Sequence, residues 1–334
     1  MTVNINDIIK NISKTVAAHR LNGEGEYTRW LWNGAENERK LGLNEYGCAD
    51  AANILYTIGE FPSESDKRKA WINTLQNFQD PETGLFTEET HHFIHTTAHC
   101  TAALELFDAK PRYQFKALEE YTSVSGLYGL LENLLWKEDA WTQSHQGAGI
   151  YAALVLNDSV DEKWVDSYFD WLWENSDPET GMWRKGAIEA SSLPLAHHMA
   201  GTFHYLFNHE YAHRPLRYPE KLIDTCITLY DDKLLGKNFG KQISFLEVDW
   251  VYCINRASRQ TSHRRSDCQR VLAEFAAEFT EYLNGIDVKT HDGFNDLHAL
   301  FGATCAIAEL QQALPGMLRS KKPLKLVLDS RPFI

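Results

Sequence analysis

The sequence predicts an all-α fold, an (α/α)6 toroid in which six inner helices are enclosed by six outer helices. Two observations predict this fold. First, a helix-like segment opened by a histidine or another polar residue recurs about every fifty residues, a period typical of a repeated supersecondary unit. These segments begin at Tyr46, His95, His145, His197, Asp249 and His298. Second, an amphipathic segment precedes each of them, which indicates a helical pair in every repeat.

The repeated segments are predicted to be the inner helices. They carry small residues on nearly all sides, as at Ala98, Ala102 and Ala103, or at Gly147 and Gly149. A helix that has no polar face is usually buried among its neighbours. We therefore expect these six helices to lie at the centre of the fold.

The amphipathic segments are predicted to be the outer helices. In one of them, Trp164, Tyr168, Trp171 and Leu172 fall on one face of a helix, the spacing expected when only that face is buried. The six predicted outer helices span roughly 5–20, 66–79, 112–134 with a break at Gly126, 161–175, 218–231 and 266–284.

The connections between helices are predicted to be structural. One loop occurs twice, as QDPETGLF at 79–86 and SDPETGMW at 176–183, with a shortened echo, HDGFN, at 291–295. Asp-Pro opens a turn, Gly closes it with a positive φ, and the aromatic residue packs back onto the helices. The tail from Lys322 alternates in polarity, which predicts a short strand or strap across the barrel.

Composition limits the class of protein. The repeat runs through residues 1–334 without a linker, so we predict a single toroid domain. A net charge of −13 argues against nucleic acid as a partner. Because the N-terminus is too polar for a signal peptide and no apolar run could span a membrane, we expect a cytoplasmic protein without membrane contact. The cysteines show no paired spacing and are expected to be buried reduced thiols. No cofactor and no metal is assigned.

The repeat unit resembles a known architecture. An outer helix followed by Q/S-D-P-E-T-G-L/M-F/W, about a dozen residues, and H-x-x-x-x-C/G-x-x-A-A-L is similar to the repeats of the terpenoid cyclase and protein prenyltransferase toroids. The six-hairpin glycosidases, polysaccharide lyases and sugar epimerases share the (α/α)6 barrel. The resemblance implies this architecture over most of the chain and identifies no single family.

The sequence departs from these families at the motifs that carry their chemistry. It has no Asp-x-Asp-Asp run of the kind that class II terpenoid cyclases use as an acid. The nearest match to the prenyltransferase zinc set is Asp249, Cys253 and His298, but the Asp-to-Cys spacing differs. His91 and His95 form an i, i+4 pair without the His-Glu-x-x-His pattern of metalloproteases.

The candidate site is the mouth of the predicted barrel. All inner helices of such a barrel point the same way, so their N-termini gather there with unsatisfied N–H groups and partial positive charge. That end favours anionic or polyhydroxylated ligands. The residues assigned to catalysis are Asp249, Asp50, Glu45 and His145. Those assigned to substrate binding are Tyr46, His95, Trp141, Gln146, His197, Trp250, Asp296 and His298.

Helices three apart in a six-fold ring should face each other. We therefore expect Asp249 opposite His95, Glu45 and Asp50 opposite His197, and His145 opposite His298.

The favoured function is a carbohydrate-active enzyme working on a small or oligomeric sugar. In a glycoside hydrolase, Asp249 would be one catalytic carboxyl and Asp50 or Glu45 the other, with Trp141 and Trp250 as aromatic platforms.

Three alternatives stay open. In a uronate lyase or epimerase, His145 or His197 would act with Tyr46 to abstract a proton beside the uronate carboxylate. The chain could instead be a cyclase-like or prenyltransferase-like enzyme acting on an apolar substrate, or a toroid that binds without catalysis.

Overall fold

The protein is almost entirely helical. The structure, a computed structural model, describes residues 2–34 and 38–334, and within them one sheet of two parallel strands is present. The strands are β1 Val3–Asn4 and β2 Leu318–Arg319, and a 3-10 helix spans Lys116–Thr122. The α-helices are α1 Asn6–His19, α2 Glu45–Ile58, α3 Ser65–Asn77, α4 Phe93–Glu105, α5 Val124–Asn133, α6 Trp136–Leu156, α7 Glu162–Asn175, α8 Leu195–Tyr211, α9 Pro219–Asp231, α10 Phe245–Ser258, α11 Arg265–Gly285, α12 Asp292–Asn295, α13 Leu297–Ala313 and α14 Val327–Ser330. The predicted all-α class is confirmed.

Helices of two burial types alternate along the chain, as the small-residue pattern predicts. Every residue of α4 from Ile94 to Leu104 is buried. In α3, by contrast, only Trp71 and Leu75 are buried. The four residues of the predicted apolar face of α7 are all buried, together with Phe169. The broad-face helices therefore shield the helices that are rich in small residues.

The helices α2 and α6 begin before the residue that marks their repeat and are capped by a polar residue further upstream, whereas α8, preceded by Pro194, has no side-chain cap. Before α2, the side chain of Asn44 accepts a hydrogen bond from the backbone N–H of Gly47. In α6, Asp139 has a non-helical backbone (φ −158°, ψ 68°), so the regular helix begins at Ala140. The Asp139 carboxylate accepts a hydrogen bond from the N–H of Thr142 at 3.3 Å, as an N-cap does.

The duplicated loop forms the same turn in both copies. Asp80 accepts hydrogen bonds from the backbone N–H and the hydroxyl of Thr83, and Asp177 does the same with Thr180. The glycine after each threonine has a positive φ, 78° in the first copy and 72° in the second. The N–H of the aromatic residue that ends each copy donates to a threonine of the next inner helix. The predicted structural turn is confirmed.

The chain divides into two compact units. Unit 1 comprises Met1–Phe78, Lys237–Val251 and Gln269–Val327. Unit 2 comprises Gln79–Gly236, Tyr252–Cys268 and Leu328–Ile334. In unit 1, α2 packs against α13 and α1; in unit 2, α6 packs between α4 and α8. The single domain and the closed ring stay predictions.

Two predictions about element boundaries are wrong. The tail from Lys322 contains the short helix α14 and no strand. The strand lies just before it, at β2, where Leu318 pairs with Val3 of β1. The break in the third outer helix falls at Ser123 rather than at Gly126, because the Ser123 hydroxyl caps α5 by accepting the N–H of Gly126 at 3.0 Å.

The structure shows where the cysteine thiols lie. All six cysteines are buried and carry free thiols. Burial raises the pKa of Cys48 to about 12 and that of Cys268 to about 11, which removes the thiolate that reactive cysteines need.

Among the helices of the described ranges, none combines the length and the apolar character that crossing a membrane requires.

Candidate functional site

The predicted site residues fall into two groups, one in each unit. The acid–base cluster of unit 1 consists of Glu45, Tyr46, Asp50, Asp249, Trp250, Asp296 and His298. The aromatic strip of unit 2 consists of His91, His95, Trp141, His145 and His197, with Gln146 beside it. Each group lies at the N-terminal ends of inner helices, where the repeat places it.

The centre of the acid–base cluster is a buried carboxylate–histidine pair. Asp50, in the second turn of α2, is fully buried, and His298, in the first turn of α13, is 4% exposed. The Nδ1 atom of His298 lies 3.1 Å from Oδ2 and 3.3 Å from Oδ1 of Asp50. A carboxylate that accepts the Nδ1 proton fixes the imidazole orientation and places the basic lone pair on Nε2. The pair is thus arranged for proton transfer.

Tyr46 and Phe245 hold the imidazole of His298. Tyr46 lies one helical turn before Asp50, and its ring meets the imidazole edge-on, with centroids 4.7 Å apart. Phe245 lies 4.4 Å from the same ring. The Arg29 guanidinium stands 5.2 Å from the centre of the Tyr46 ring. The imidazole therefore has one defined position.

Asp296 is engaged by an arginine and by the start of α13. Arg29 donates two hydrogen bonds to its carboxylate, at 2.9 and 3.1 Å, and the N–H of His298 donates a third at 2.9 Å. Burial raises the pKa of Asp296, but the charge and hydrogen bonds of Arg29 outweigh it, so the pKa is lowered overall. The carboxylate stays ionised and orders the first turn of α13. Its role in substrate binding stays a prediction.

Asp249 is a buried acid with no hydrogen-bond partner among the described residues. It is fully buried in α10, and neither carboxyl oxygen has a partner within residues 2–34 and 38–334. Burial, with a smaller contribution from the charge of Glu247, raises its pKa well above the usual value. Glu247 is itself fixed by the Ser244 hydroxyl at 2.6 Å and the Gly240 N–H at 3.1 Å. Burial therefore favours the protonated, neutral form of the Asp249 carboxyl.

The other two predicted residues of unit 1 differ in exposure. Glu45 is half-buried in the first turn of α2. Trp250 is fully buried and packs against Phe239 and Phe275, with ring centroids 5.5 and 5.3 Å away. Because Trp250 presents no surface, its ring cannot stack on a sugar, and the platform role is left to Trp141.

The aromatic strip of unit 2 crosses the first turns of α4, α6 and α8. His91 stacks on His95 with centroids 4.6 Å apart, and His95 lies 4.4 Å from His145. Trp141 precedes His145 by one turn of α6, so both lie on one helix face. Trp141 meets His197 of α8 edge-on at 5.9 Å. Only His95 is buried, so the other four rings are partly open to solvent.

Several residues beneath the strip were not predicted. His204 of α8 lies 4.4 Å from His145 and hydrogen-bonds the Ser144 hydroxyl at 2.9 Å. Burial lowers the pKa of His204 to about 3, so it is neutral. Phe333 packs edge-on against His95 at 4.9 Å. The spacing of four in the sequence could have revealed His99, which follows His95 on α4 at 6.3 Å. No sequence signal marks Phe333.

The structure brings some predicted residues together within each unit. Asp50, Tyr46 and His298 meet in unit 1, as do His95 and His145, and Trp141 and His197, in unit 2. The expected pairs of facing residues each join one residue of unit 1 to one of unit 2. They stay predictions.

No protein-family model matches this chain, and neither a curated protein nor a solved structure matches it. Function is therefore inferred from the site itself.

Proposed function

We propose that the chain is a carbohydrate-active enzyme that uses general acid–base chemistry, built on an (α/α)6 toroid. The hydrogen bond between Asp50 and His298 carries the proposal. A buried carboxylate that orients an imidazole is a recurring arrangement for a catalytic base. The alternating burial of the helices and the duplicated loop support the toroid.

His298 is the proposed base. Its Nε2 takes a proton from the reacting group, and the Asp50 carboxylate stabilises the imidazolium that forms. In an epimerase His298 takes the proton from a sugar carbon, and Tyr46, in contact with the same imidazole, returns a proton to the opposite face of that carbon. In a lyase the electron pair of the C–H bond forms a double bond, the glycosidic C–O bond breaks, and Tyr46 gives its proton to the leaving oxygen. This replaces His145 and His197 as the histidine that acts with Tyr46.

In a hydrolase the same groups handle water and the leaving oxygen. His298 takes a proton from water, whose oxygen bonds to the anomeric carbon while the glycosidic C–O bond breaks. Asp249 gives its carboxyl proton to the leaving oxygen, for which a raised pKa is required. Because Asp249 has no exposed surface, its test must separate a proton donor from a buried structural acid.

For unit 2 taken by itself, we propose that the aromatic strip binds a sugar. Indole and imidazole rings offer flat apolar faces to the C–H face of a sugar, and ring nitrogens exchange hydrogen bonds with hydroxyls. Trp141 is partly exposed beside His197 and His145, so it can serve as the platform. Gln146 adds an amide that both donates and accepts.

A second function, a cyclase-like enzyme on an apolar substrate, is favoured by one observation. A carboxylic acid that protonates an alkene needs a raised pKa and shielding from solvent, and Asp249 has a raised pKa and no exposed surface. This candidate predicts turnover of prenyl substrates and none of sugars.

Product analysis tests the proposal. The purified chain is incubated with panels of neutral and uronate oligosaccharides and with prenyl diphosphates, and products are identified by mass spectrometry. A hydrolase adds the mass of water, a lyase yields an unsaturated sugar at unchanged total mass, and an epimerase changes stereochemistry alone. Turnover of prenyl diphosphates only, or of no substrate, would reject the carbohydrate assignment.

A further inference from the structure

We propose that the aromatic strip of unit 2 binds a neutral oligosaccharide rather than a uronate chain. This inference rests on the proposed function and names its substrate class. It starts from the charges available at the strip. From the N-cap through the fourth residue, no lysine or arginine occurs in the first turns of α4 and α8 or in the first turn of the regular part of α6, which Asp139 caps.

One end of the strip lies beside an acidic side chain. The Glu88 carboxylate lies 3.8 Å from Nδ1 of His91, at one end of the strip. A uronate bound there would place a second carboxylate near Glu88, and like charges at short range repel. With a net charge of −13, the chain as a whole also repels polyanions. A neutral sugar meets neither penalty.

A buried histidine beside the strip supplies unused hydrogen-bonding capacity. His198 follows His197 in the first turn of α8, and it is 1% exposed. Neither of its ring nitrogens has a partner within the described part of the chain. Burial, and then the neighbouring His197, lower the pKa of His198, so its ring is neutral.

A neutral imidazole offers one donor and one acceptor, the pair that vicinal hydroxyls complement. Side chains of an α-helix lean toward its N-terminus, so this ring lies over the first turn of α8, the turn that also carries His197 of the strip. Leaving such a group unpaired costs free energy, which a bound hydroxyl would recover.

The strip is longer than one sugar ring requires. Its rings extend from His91 through His145 and Trp141 to His197, across the starts of three helices. One pyranose stacked on Trp141 leaves the His91 end uncovered. The strip therefore fits at least two linked sugar units.

Binding measurements on the full-length chain test the inference. The probes are neutral gluco- and xylo-oligosaccharides of two to five units, compared with oligogalacturonates of the same lengths, in calorimetry and thermal shift. We expect the neutral probes to bind, with little dependence on salt, and the uronates to bind at least about tenfold more weakly. Trp141→Ala should weaken neutral binding about tenfold or more.

Matched controls guard against general effects of substitution. Trp173, on α7 outside the strip, is 40% exposed, and Trp173→Ala should leave binding unchanged. Lys137 is exposed one turn before Trp141, and Lys137→Ala should also leave binding unchanged.

Three results would overturn the inference. Uronates that bind as tightly as neutral probes would reject the substrate class, while carbohydrate turnover would still support the proposed function. Neutral binding that does not depend on Trp141 would reject the strip as the binding surface. Failure of every carbohydrate both to bind and to react would count against the inference and the proposed function together.

Discussion

The Nδ1 atom of His298 lies 3.1 Å from a carboxylate oxygen of Asp50, and both side chains are buried. Asp50 belongs to the first inner helix and His298 to the last, 248 residues apart in sequence. Because α2 packs directly against α13, the first and last repeated segments each supply one member of this buried carboxylate–histidine pair.

Asp50→Asn should abolish most of the activity. The amide would present its oxygen or its NH₂ to the imidazole and lose the charge that stabilises imidazolium, so kcat should fall by about 10²–10⁴. Steady-state kinetics measure this, with circular dichroism to verify folding. A folded variant that retains wild-type kcat would remove Asp50 from the mechanism.

Asp249→Asn should keep the fold and lose turnover. Burial raises the pKa of the native carboxyl and so favours its neutral form, and neither of its oxygens has a partner within the described residues, so an amide of the same shape disturbs the site very little. If Asp249 donates a proton, the amide cannot replace it. Wild-type turnover in Asp249→Asn would show that Asp249 is a structural acid. In that case Asp249→Ala would differ from Asp249→Asn in its free energy of unfolding and not in turnover.

The stability of the protein should depend on the protonation of Asp249. Its pKa in the folded state lies well above the unfolded value of about 3.9. Its contribution is therefore fully present below about pH 4 and is lost as pH rises toward the folded pKa, by about 1.4 kcal/mol per pH unit. Denaturant unfolding at several pH values should show the wild type losing stability relative to Asp249→Asn as pH rises. Parallel pH dependences would contradict a buried neutral carboxyl.

Gly147→Ala should destabilise the protein. A Cβ at this position in α6 would come within 2.1 Å of the Tyr205 hydroxyl, and relieving such overlap typically costs about 1–3 kcal/mol. Gly129→Ala in α5 is the matched control, because nothing lies within 4 Å of its Cβ. That variant should gain roughly 0.5–1 kcal/mol from helix propensity. Equal unfolding free energies in the two variants would contradict the packing described for α6.

The Asp50–His298 pair also offers a carboxylate oxygen and an imidazole nitrogen, which are common metal ligands. Chelation therefore distinguishes an acid–base pair from a metal site. If the pair serves as an acid–base relay, chelator treatment should leave activity unchanged, and Zn²⁺ should not raise Tm. Loss of activity with chelator that Zn²⁺ restores would instead identify Asp50 and His298 as metal ligands.

The helices could be predicted from the sequence because each repeat contains its own pattern of apolar and polar residues. The apolar face of α7 and the turn at Asp177 depend on neighbours close in sequence. The site was predicted only in part. His298 was placed at a helix start, but its bond to Asp50 depends on how α13 packs against α2, which no local pattern encodes.

The predictions that were wrong also depended on packing that a local sequence pattern does not encode. Trp250 was expected to be a sugar platform because its position in the repeat matches the mouth, yet Phe239 and Phe275 cover it. The tail was expected to form a short strand or strap from its alternation; the strand is absent because four of its residues form α14, and the strap stays a prediction. Phe333 reaches the histidines of unit 2 through tertiary packing alone.

The most direct test compares the wild type with His298→Gln on whichever carbohydrate the product screen identifies, measuring turnover and substrate binding side by side. We expect His298→Gln to bind the sugar with near wild-type affinity and to turn it over at least about a hundredfold more slowly. A folded His298→Gln variant that turns over the sugar at the wild-type rate would contradict this expectation.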